Sequence, residues 1–594
     1  MIAILAVAAV TVGTVGLGAV GTRLARTTSD LLVASRAMTA WWNAAAISGE
    51  YLSAASFLGI AGLEMQNGVT ALWQSLGFTA GYLCLLLFVA APLRRFGSYT
   101  ISDFAEARLR SPRLRALASA TVLLIGGFYL VPQLKGAGLA LGVVTGAPYF
   151  VGVLAVGLVV ALNVGLGGMR GITYVQAFQF WLKVFAIALP ACLLLIHLGG
   201  LPARAALFGD QLPSAGPKGL VVSLPGPQPV TFPAATRYTI ITSPHGRATD
   251  HARHAFAGEQ TTLPVGRLVL PPHAPVPVAS GTTALRGSEW ARPVGGGGER
   301  SPLFVYSLLI ATFLGTMGLP HILVRFYTNP DGPAARHTTV RVLGLLGLFY
   351  IFPGIYGALG RVLAPQLYVT GATDTVVLRL PQAAWPGTVG NLLGAITAAG
   401  AFAAFLSTSS GLLVSIAGTI SHDVWPRVSR EKTTTVAIRR LRFRLGAVLG
   451  MLAPIAVAFV AQGVDIAVLV GWAFALAAST FCPLFLLGIW WTRLTAAGAG
   501  CGMVAGALVA TSGILVGLAL GEPSGVAGDL LAQPAIVSVP IAFLTMIVVS
   551  LRAAERPTPD AEMLALHAPE GLDLPEMGVR DPFVLGESAT RAQG

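Results

Sequence analysis

The 594-residue chain is 54% hydrophobic and 11% charged, contains 71 glycines and has a formal net charge of +13. An ordinary soluble protein carries ~25% charged residues, so this composition excludes a soluble globular class and indicates a polytopic membrane protein. The glycine content suits closely packed membrane helices. Cys84, Cys192, Cys482 and Cys501 all lie in apolar stretches without Cys-x-x-Cys spacing. They read as small hydrophobes, and neither a disulfide framework nor a zinc site is indicated.

Taken in order, runs of about 20 apolar residues, the length that crosses a bilayer, fall near 2–22, 41–64, 70–92, 116–145, 149–167, 173–198, 302–324, 339–363, 387–420, 445–462, 466–490, 495–520 and 534–551. The first lacks a basic segment ahead of it, so it reads as a retained span, with a cleaved signal peptide as the alternative. Alternate short loops are basic: Arg23, Arg26 and Arg36, then Arg94 to Arg115, Arg170, Arg325 to Arg341, Arg427 to Arg444, and Arg493. The opposite loops carry only Arg361 and Arg379. This alternation places the N-terminus outside and the C-terminus in the cytoplasm of a plasma-membrane protein. The positive charge is therefore topological, and no nucleic-acid partner is needed to explain it.

Two polar pieces remain. Residues 199–301 form an external Pro- and Gly-rich insertion, read as a largely irregular loop in preference to a small strand-containing cap. Its histidines, His245, His251, His254 and His273, lack a metal-ligand spacing. Residues 552–594 read as a disordered cytoplasmic tail.

Three stretches inside the spans carry chemistry. The first, Ile47 to Gly59, places Glu50, three serines and two glycines at bilayer depth. A charged side chain there costs ~2.5–3.5 kcal/mol on insertion scales, while Gly and Ser permit either close packing or a helix break whose freed carbonyls bind a cation. The second, Phe313 to Arg325, is interrupted by Gly315, Gly318 and Pro320 and lies five spans after the first. Paired interrupted spans in two halves point to an inverted repeat with a binding site between the breaks. His321 and Arg325 read here as cytoplasmic interfacial anchors in preference to ligands. In the third stretch, Ala401 to Gly411, Ala404, Ser407 and Thr408 share one helix face. They offer a carbonyl and two hydroxyl oxygens, the neutral ligands a hard alkali cation prefers.

Together these stretches resemble the sodium:solute symporter family, and within it the cation/acetate symporters. The likeness lies in Gly49-Glu50-Tyr51-Leu52-Ser53-Ala54-Ala55-Ser56-Phe57-Leu58-Gly59 and in Gly315 to Tyr327, with Gly167 to Gln176 and Ser421-His422-Asp423 also similar. The resemblance implies an all-α, LeuT-like core of two inverted five-helix repeats (41–198 and 302–490), preceded by the extra span 1–22 and followed by two more in 495–551. That makes about thirteen transmembrane helices, matching the apolar runs. It implies a Na⁺ site formed by the carbonyls of Gly49 and Leu52 with Ala404, Ser407 and Thr408. Tyr51 and Gln176 stand where some relatives have polar or acidic residues, which leaves H⁺ open as the coupling ion. For a monocarboxylate, Ser53, Ala54 and Ser56 on the first break, Thr316 and Gly318 on the second, and Gln133 would line the site. Lys135 would counter an anion, pair with Glu50 or snorkel. The expected activity is Na⁺-coupled uptake of a small, acetate-like organic anion, with no organic cofactor and no enzymatic chemistry. The alternatives are another solute such as an amino acid, proton coupling, or a ligand sensor.

Overall fold

The computed structural model describes residues 2–24, 34, 38–98, 100–198, 209–242, 251–294, 301–429, 436–521, 525–553 and 560–568. The first half contains α1 (Ile2–Leu24), α2 (Ala40–Tyr51), α3 (Ile60–Asn67), α4 (Leu72–Cys84), α5 (Ala90–Phe96), α6 (Ile101–Leu109), α7 (Pro112–Thr145) and α8 (Tyr149–Leu198). After the insertion and its short helix α9 (Gly287–Trp290) come α10 (Pro302–Thr316), α11 (Pro320–Phe326), α12 (Gly332–Leu363), α13 (Gln366–Thr370), α14 (Val376–Ala384) and α15 (Thr388–Gly418). The chain ends with α16 (Trp425–Ser429), α17 (Val436–Val460), α18 (Ile466–Trp490), α19 (Ala496–Leu520), α20 (Gly525–Ala532), α21 (Ala535–Arg552) and α22 (Asp560–His567).

Eleven helical runs among the described residues are long and apolar enough to cross a membrane, and Ile2–Gly18 is a shorter apolar helix. One of the eleven, Ala55–Phe96, covers 42 residues. It turns at Gly68, whose φ of +66° lies in the left-handed region that glycine enters without a Cβ penalty. This run therefore joins the second half of one expected span to the next; counting it as two and adding Ile2–Gly18 relates the eleven runs to the thirteen expected spans. Helix α8 is helical throughout, yet it bends sharply. Asn163 donates to Ser410 Oγ and Gln176 to the Ser407 carbonyl, sites only three residues apart on α15.

Helix α15 is the centre of the packing. It lies against α8, α7 and α1, and from Gly390 to Gly418 nearly every residue is buried. The outward faces of neighbouring helices expose Leu158, Trp181, Phe185, Leu508 and Leu515, as lipid contact requires.

The insertion corrects the expectation of an irregular loop. Strands β1 (Leu220–Leu224), β2 (Gln228–Thr231), β3 (Thr236–Ile241), β4 (His251–Ala255), β5 (Gln260–Leu263), β6 (Gly266–Leu270) and β7 (Val278–Ala279) form two antiparallel sheets, ordered β1-β6-β3-β4 and β5-β2-β7. Alternation supplies their inner face. Tyr238, Ile240, Val222, Leu224, Leu268 and Leu270 are buried, and Phe232 stacks on Tyr238 at 5.0 Å. This cap docks on the helix ends: Trp290 Nε1 donates to Glu64 O at 2.7 Å, and Arg361 donates to Gln211 O at 3.1 Å. The tail also differs from a wholly disordered end. Helix α22 buries Leu566, and His567 Nε2 lies 2.8 Å from Ile489 O.

Candidate functional site

The first break follows from where α2 stops. Leu52 leaves the helix at φ −73°, ψ 85°, and the chain resumes through a π-helical turn, Ala55–Gly59, before α3. The carbonyls of Gly49, Glu50 and Leu52 accept hydrogen bonds from side chains of other helices. Thr408 Oγ1 donates to Glu50 O at 2.5 Å. Lys183 of α8 donates its ammonium to Leu52 O at 2.8 Å, to Ser407 Oγ at 2.6 Å and to Gly49 O. Ser407 Oγ lies 2.7 Å from Gly49 O and 3.1 Å from Ala404 O. Lys183, Ser407 and Thr408 are all fully buried.

Of the five expected cation ligands, Gly49, Leu52 and Ser407 thus surround one point. Ala404 stands behind Ser407, and Thr408 turns to Glu50 O. The point itself holds Lys183 Nζ. Close helix approach makes this geometry possible, since a Cβ on Gly49 would come within 2.3 Å of the Gln176 carbonyl.

The second break separates α10 from α11, with Met317, Gly318 and Leu319 between them. Here the reading of Arg325 as an interfacial anchor is overturned. Its side chain has no exposure, and Nε donates to Glu50 Oε2 at 2.6 Å. Its other donors reach Thr173 Oγ1 at 2.7 Å and Gln176 Oε1. Gln176 in turn donates to Ser407 O at 2.7 Å, so one network ties both breaks to α8 and α15. A buried guanidinium is tolerable because it is paired and its donors are used. His321 is also buried, only 2% exposed, with its ring edge against Tyr129 at 5.3 Å. It too is not an interfacial anchor.

The other expected residues separate into two groups. Gln133 Oε1 accepts from the Ala54 amide at 2.8 Å, Ser56 Oγ lies 2.8 Å from Tyr350 Oη, and Tyr51 Oη lies 2.8 Å from Thr316 Oγ1. Ser53 is buried beside them, and Gly318 packs so tightly that a Cβ would sit 2.3 Å from Ala477 O. Around these groups Tyr51, Tyr82, Phe78, Phe474 and Tyr129 form a chain of edge and tilted ring contacts. Lys135 is elsewhere. It donates to Val464 O and lies 3.9 Å from Asp374, near the capped end, so it neither pairs with Glu50 nor snorkels. Burial pushes the Asp374 carboxyl up, opposed by Lys135 and the Ile466 amide.

A small cavity of about 20 Å³ lies on the opposite side, lined by Thr100, Met169, Val324, Val414, Ser415 and Gly418 among others. Beside it a cluster closes the helix ends: Arg115 bonds Asp423 at 2.6 Å, Glu106 at 2.7 Å and Asp103 at 2.8 Å, with His422 3.4 Å from Asp103. Burial would raise the Asp103 carboxyl, but His422, Arg115 and the Thr100 amide hold it below the usual carboxylate range.

Two interrupted spans five apart, with their breaks joined through side chains of two further helices, form the arrangement on which comparison with known proteins turns. The profile of the Sodium:solute symporter family matches residues 31–221 and 278–506. The chain belongs to that family. The gap in the match falls within the strand-containing insertion. A relative, the uncharacterized symporter YwcA of Bacillus subtilis (strain 168), is 30% identical over 525 residues, covering 87% of this chain and 88% of its own. A Na⁺-coupled sialic acid symporter in a substrate-bound outward-open state superposes with a TM-score of 0.65 at 13% identity, covering 94% of this chain and 98% of that one. Mhp1, a nucleobase-cation-symport-1 family transporter in a closed conformation, gives 0.50 at 14%, covering 91% and 99%. The symporter core is therefore the LeuT-like fold of two five-helix repeats, each opening on a broken span.

Lys183 and Arg325 were absent from the site expected from sequence. The signal that exposes Glu50, a charge in mid-span, applies equally to Lys183 in Phe180-Trp181-Leu182-Lys183-Val184.

Proposed function

We propose that the protein is a secondary active symporter that takes up a small monocarboxylate, acetate-like in size, across the plasma membrane by alternating access. Its N-terminus is outside and its C-terminus cytoplasmic. The observation that carries this reading is the charge balance between the breaks. Lys183 and Arg325 stand against the single carboxylate of Glu50, leaving the buried centre one positive charge in excess and suited to an organic anion. Beside that centre, His321 and the Tyr82 hydroxyl are buried without a hydrogen-bond partner among the described residues, so a carboxylate arriving there meets polar groups with hydrogen-bonding capacity to offer. The tight aromatic surround favours a ligand of a few heavy atoms. Gln133 and Tyr51 act as positioning residues, the first through the Ala54 amide and the second through Thr316.

A cation gradient supplies the driving force. Na⁺ is the ion in the family's name; H⁺ is a second reading, favoured by the ammonium of Lys183 among the expected Na⁺ ligands. Uptake of labelled pyruvate, propionate and proline into proteoliposomes tests the substrate class. The reading expects pyruvate and propionate to enter above protein-free vesicles and unlabelled acetate to compete. Entry of proline alone, or of none of the three, overturns it.

A further inference from the structure

We propose that the strand-containing cap is a latch on the gate at its side of the symporter. Trp290 holds the outer half of the first broken span against the second repeat, and the unpartnered Glu64 carboxyl beneath it opposes closure. The proposal rests on transport by alternating access and on neither the solute nor the coupling ion.

Helix α3 ends at Asn67, and the carbonyls of its last turn look outside the helix for donors. Those donors come from two different parts of the protein. Trp290 Nε1, from the cap, donates to Glu64 O at 2.7 Å and to Met65 O at 3.3 Å. Tyr368 Oη, from α13 of the second repeat, donates to Met65 O at 2.5 Å. One carbonyl of the first repeat thus holds both the cap and the second repeat. The turn after α3 adds Thr70 Oγ1, which donates to Arg292 O at 3.2 Å, and Trp73 Nε1, which donates to Pro293 O at 2.6 Å. Gly68 makes room for this strap, since a Cβ there would come within 2.0 Å of Trp290 O. The strap is tied to the second repeat as well. Gln211 O accepts from the Gly287 amide at 3.2 Å and from Arg361 of α12 at 3.1 Å.

The strap crosses the end of a seam between α3 and α12. The seam begins at the first break, where Ser56 Oγ meets Tyr350 Oη at 2.8 Å. It continues where Ala61 and Glu64 face Gly357: a Cβ on that glycine would come within 3.0 Å of Ala61 O and 2.6 Å of Glu64 Cβ. It ends under Trp290, which is itself buried. Widening the seam from the cap side therefore requires the release of Trp290.

Glu64 supplies the opposing force. Both of its carboxyl oxygens are buried without a hydrogen-bond partner among the described residues. A carboxyl group, ionised or neutral, is better solvated by water than by a dry site that offers it no donor or acceptor. Closing the seam takes that group out of water, and opening the seam returns it. Burial of the Trp290 ring and its two donated hydrogen bonds offset the penalty. Latch and opposing group together keep the two gate positions close in free energy, as a gate that opens in every cycle requires.

The test needs no solute. It uses full-length protein purified in detergent, with Cys84, Cys192, Cys482 and Cys501 each replaced by Ala and Ser56→Cys as the single thiol. The readout is the rate at which a hydrophilic maleimide labels that thiol, which lies at the inner end of the seam. Trp290→Phe keeps an aromatic ring and loses the donor. It is expected to speed labelling about fivefold, the factor for one buried hydrogen bond, and Trp290→Ala is expected to speed it further. Glu64→Met removes the dry carboxyl and is expected to slow labelling below the parent, and to reverse part of the rise when added to Trp290→Phe. A cap that only decorates the surface would let Trp290 variants lower the melting temperature without changing the labelling rate. Labelling of Trp290→Phe within about twofold of the parent, or faster labelling of Glu64→Met, overturns the proposal. Absence of pyruvate uptake in wild type contradicts the monocarboxylate reading alone, and the labelling rates still decide the latch.

Discussion

The two chain breaks solve the same problem by different physics. At the first, freed carbonyls are satisfied by side chains brought from elsewhere, Lys183, Ser407 and Thr408, and the restarting helix is capped by Gln133. At the second, the backbone is pressed against α18: a Cβ on Gly315 would come within 2.5 Å of Phe474 O, and one on Gly318 within 2.3 Å of Ala477 O. Hydrogen bonds to side chains can be exchanged, whereas backbone contact at van der Waals distance is all or none. The first break is therefore the chemically switchable half of the site and the second the steric half. Glu50–Arg325 joins them.

This contrast predicts a graded series of effects. The largest is at the second break, where Gly318→Val drives a branched side chain into the Ala477 carbonyl. No monodisperse protein should be recovered on size-exclusion chromatography, and a well-folded, transport-active variant would show that the break is not sterically set. Next comes the junction. Arg325→Met leaves Glu50 as a buried unpaired carboxylate, a loss of ~3–5 kcal/mol. The double variant Glu50→Gln/Arg325→Met should recover part of that stability in a melting-based double-mutant cycle, and strict additivity would deny the coupling. Ser407→Ala removes one acceptor of the ammonium, ~1–3 kcal/mol for a buried group left unsatisfied. It should cut solute uptake about tenfold, since each 1.4 kcal/mol is a factor of ten; uptake within twofold of wild type would remove Ser407 from the switch. The smallest effect is Gln133→Leu, which frees the Ala54 amide at a cost of ~1 kcal/mol. It should weaken half-saturation for the solute more than it lowers the maximal rate.

The legible part of the molecule follows the same division. The breaks were readable because glycine, proline and a carboxylate interrupt long apolar runs, and their five-span separation gave the repeat. Gly49 and Leu52 came from the resemblance to known symporters and Ser407 from its place on one helix face, and the three do meet in space. Lys183 was not readable from loop charge, because it stands inside an apolar run, away from every basic loop. Arg325 was misplaced because it stands near the end of a span, five residues beyond a proline, where arginine usually anchors at the interface. The Pro- and Gly-rich insertion hid its strands because each is six residues or fewer. Pairing and burial, more than local propensity, hold them.

The most direct test of the account is solute accumulation under one imposed gradient at a time. Wild-type proteoliposomes are loaded and diluted so that only a pH gradient, acid outside and Na⁺-free, or only an inward Na⁺ gradient at equal pH, is present. The account predicts concentrative pyruvate uptake under one imposed cation gradient, the Na⁺ gradient on the first reading and the pH gradient on the second, and none when neither is imposed. Equilibration without accumulation under both gradients would contradict it.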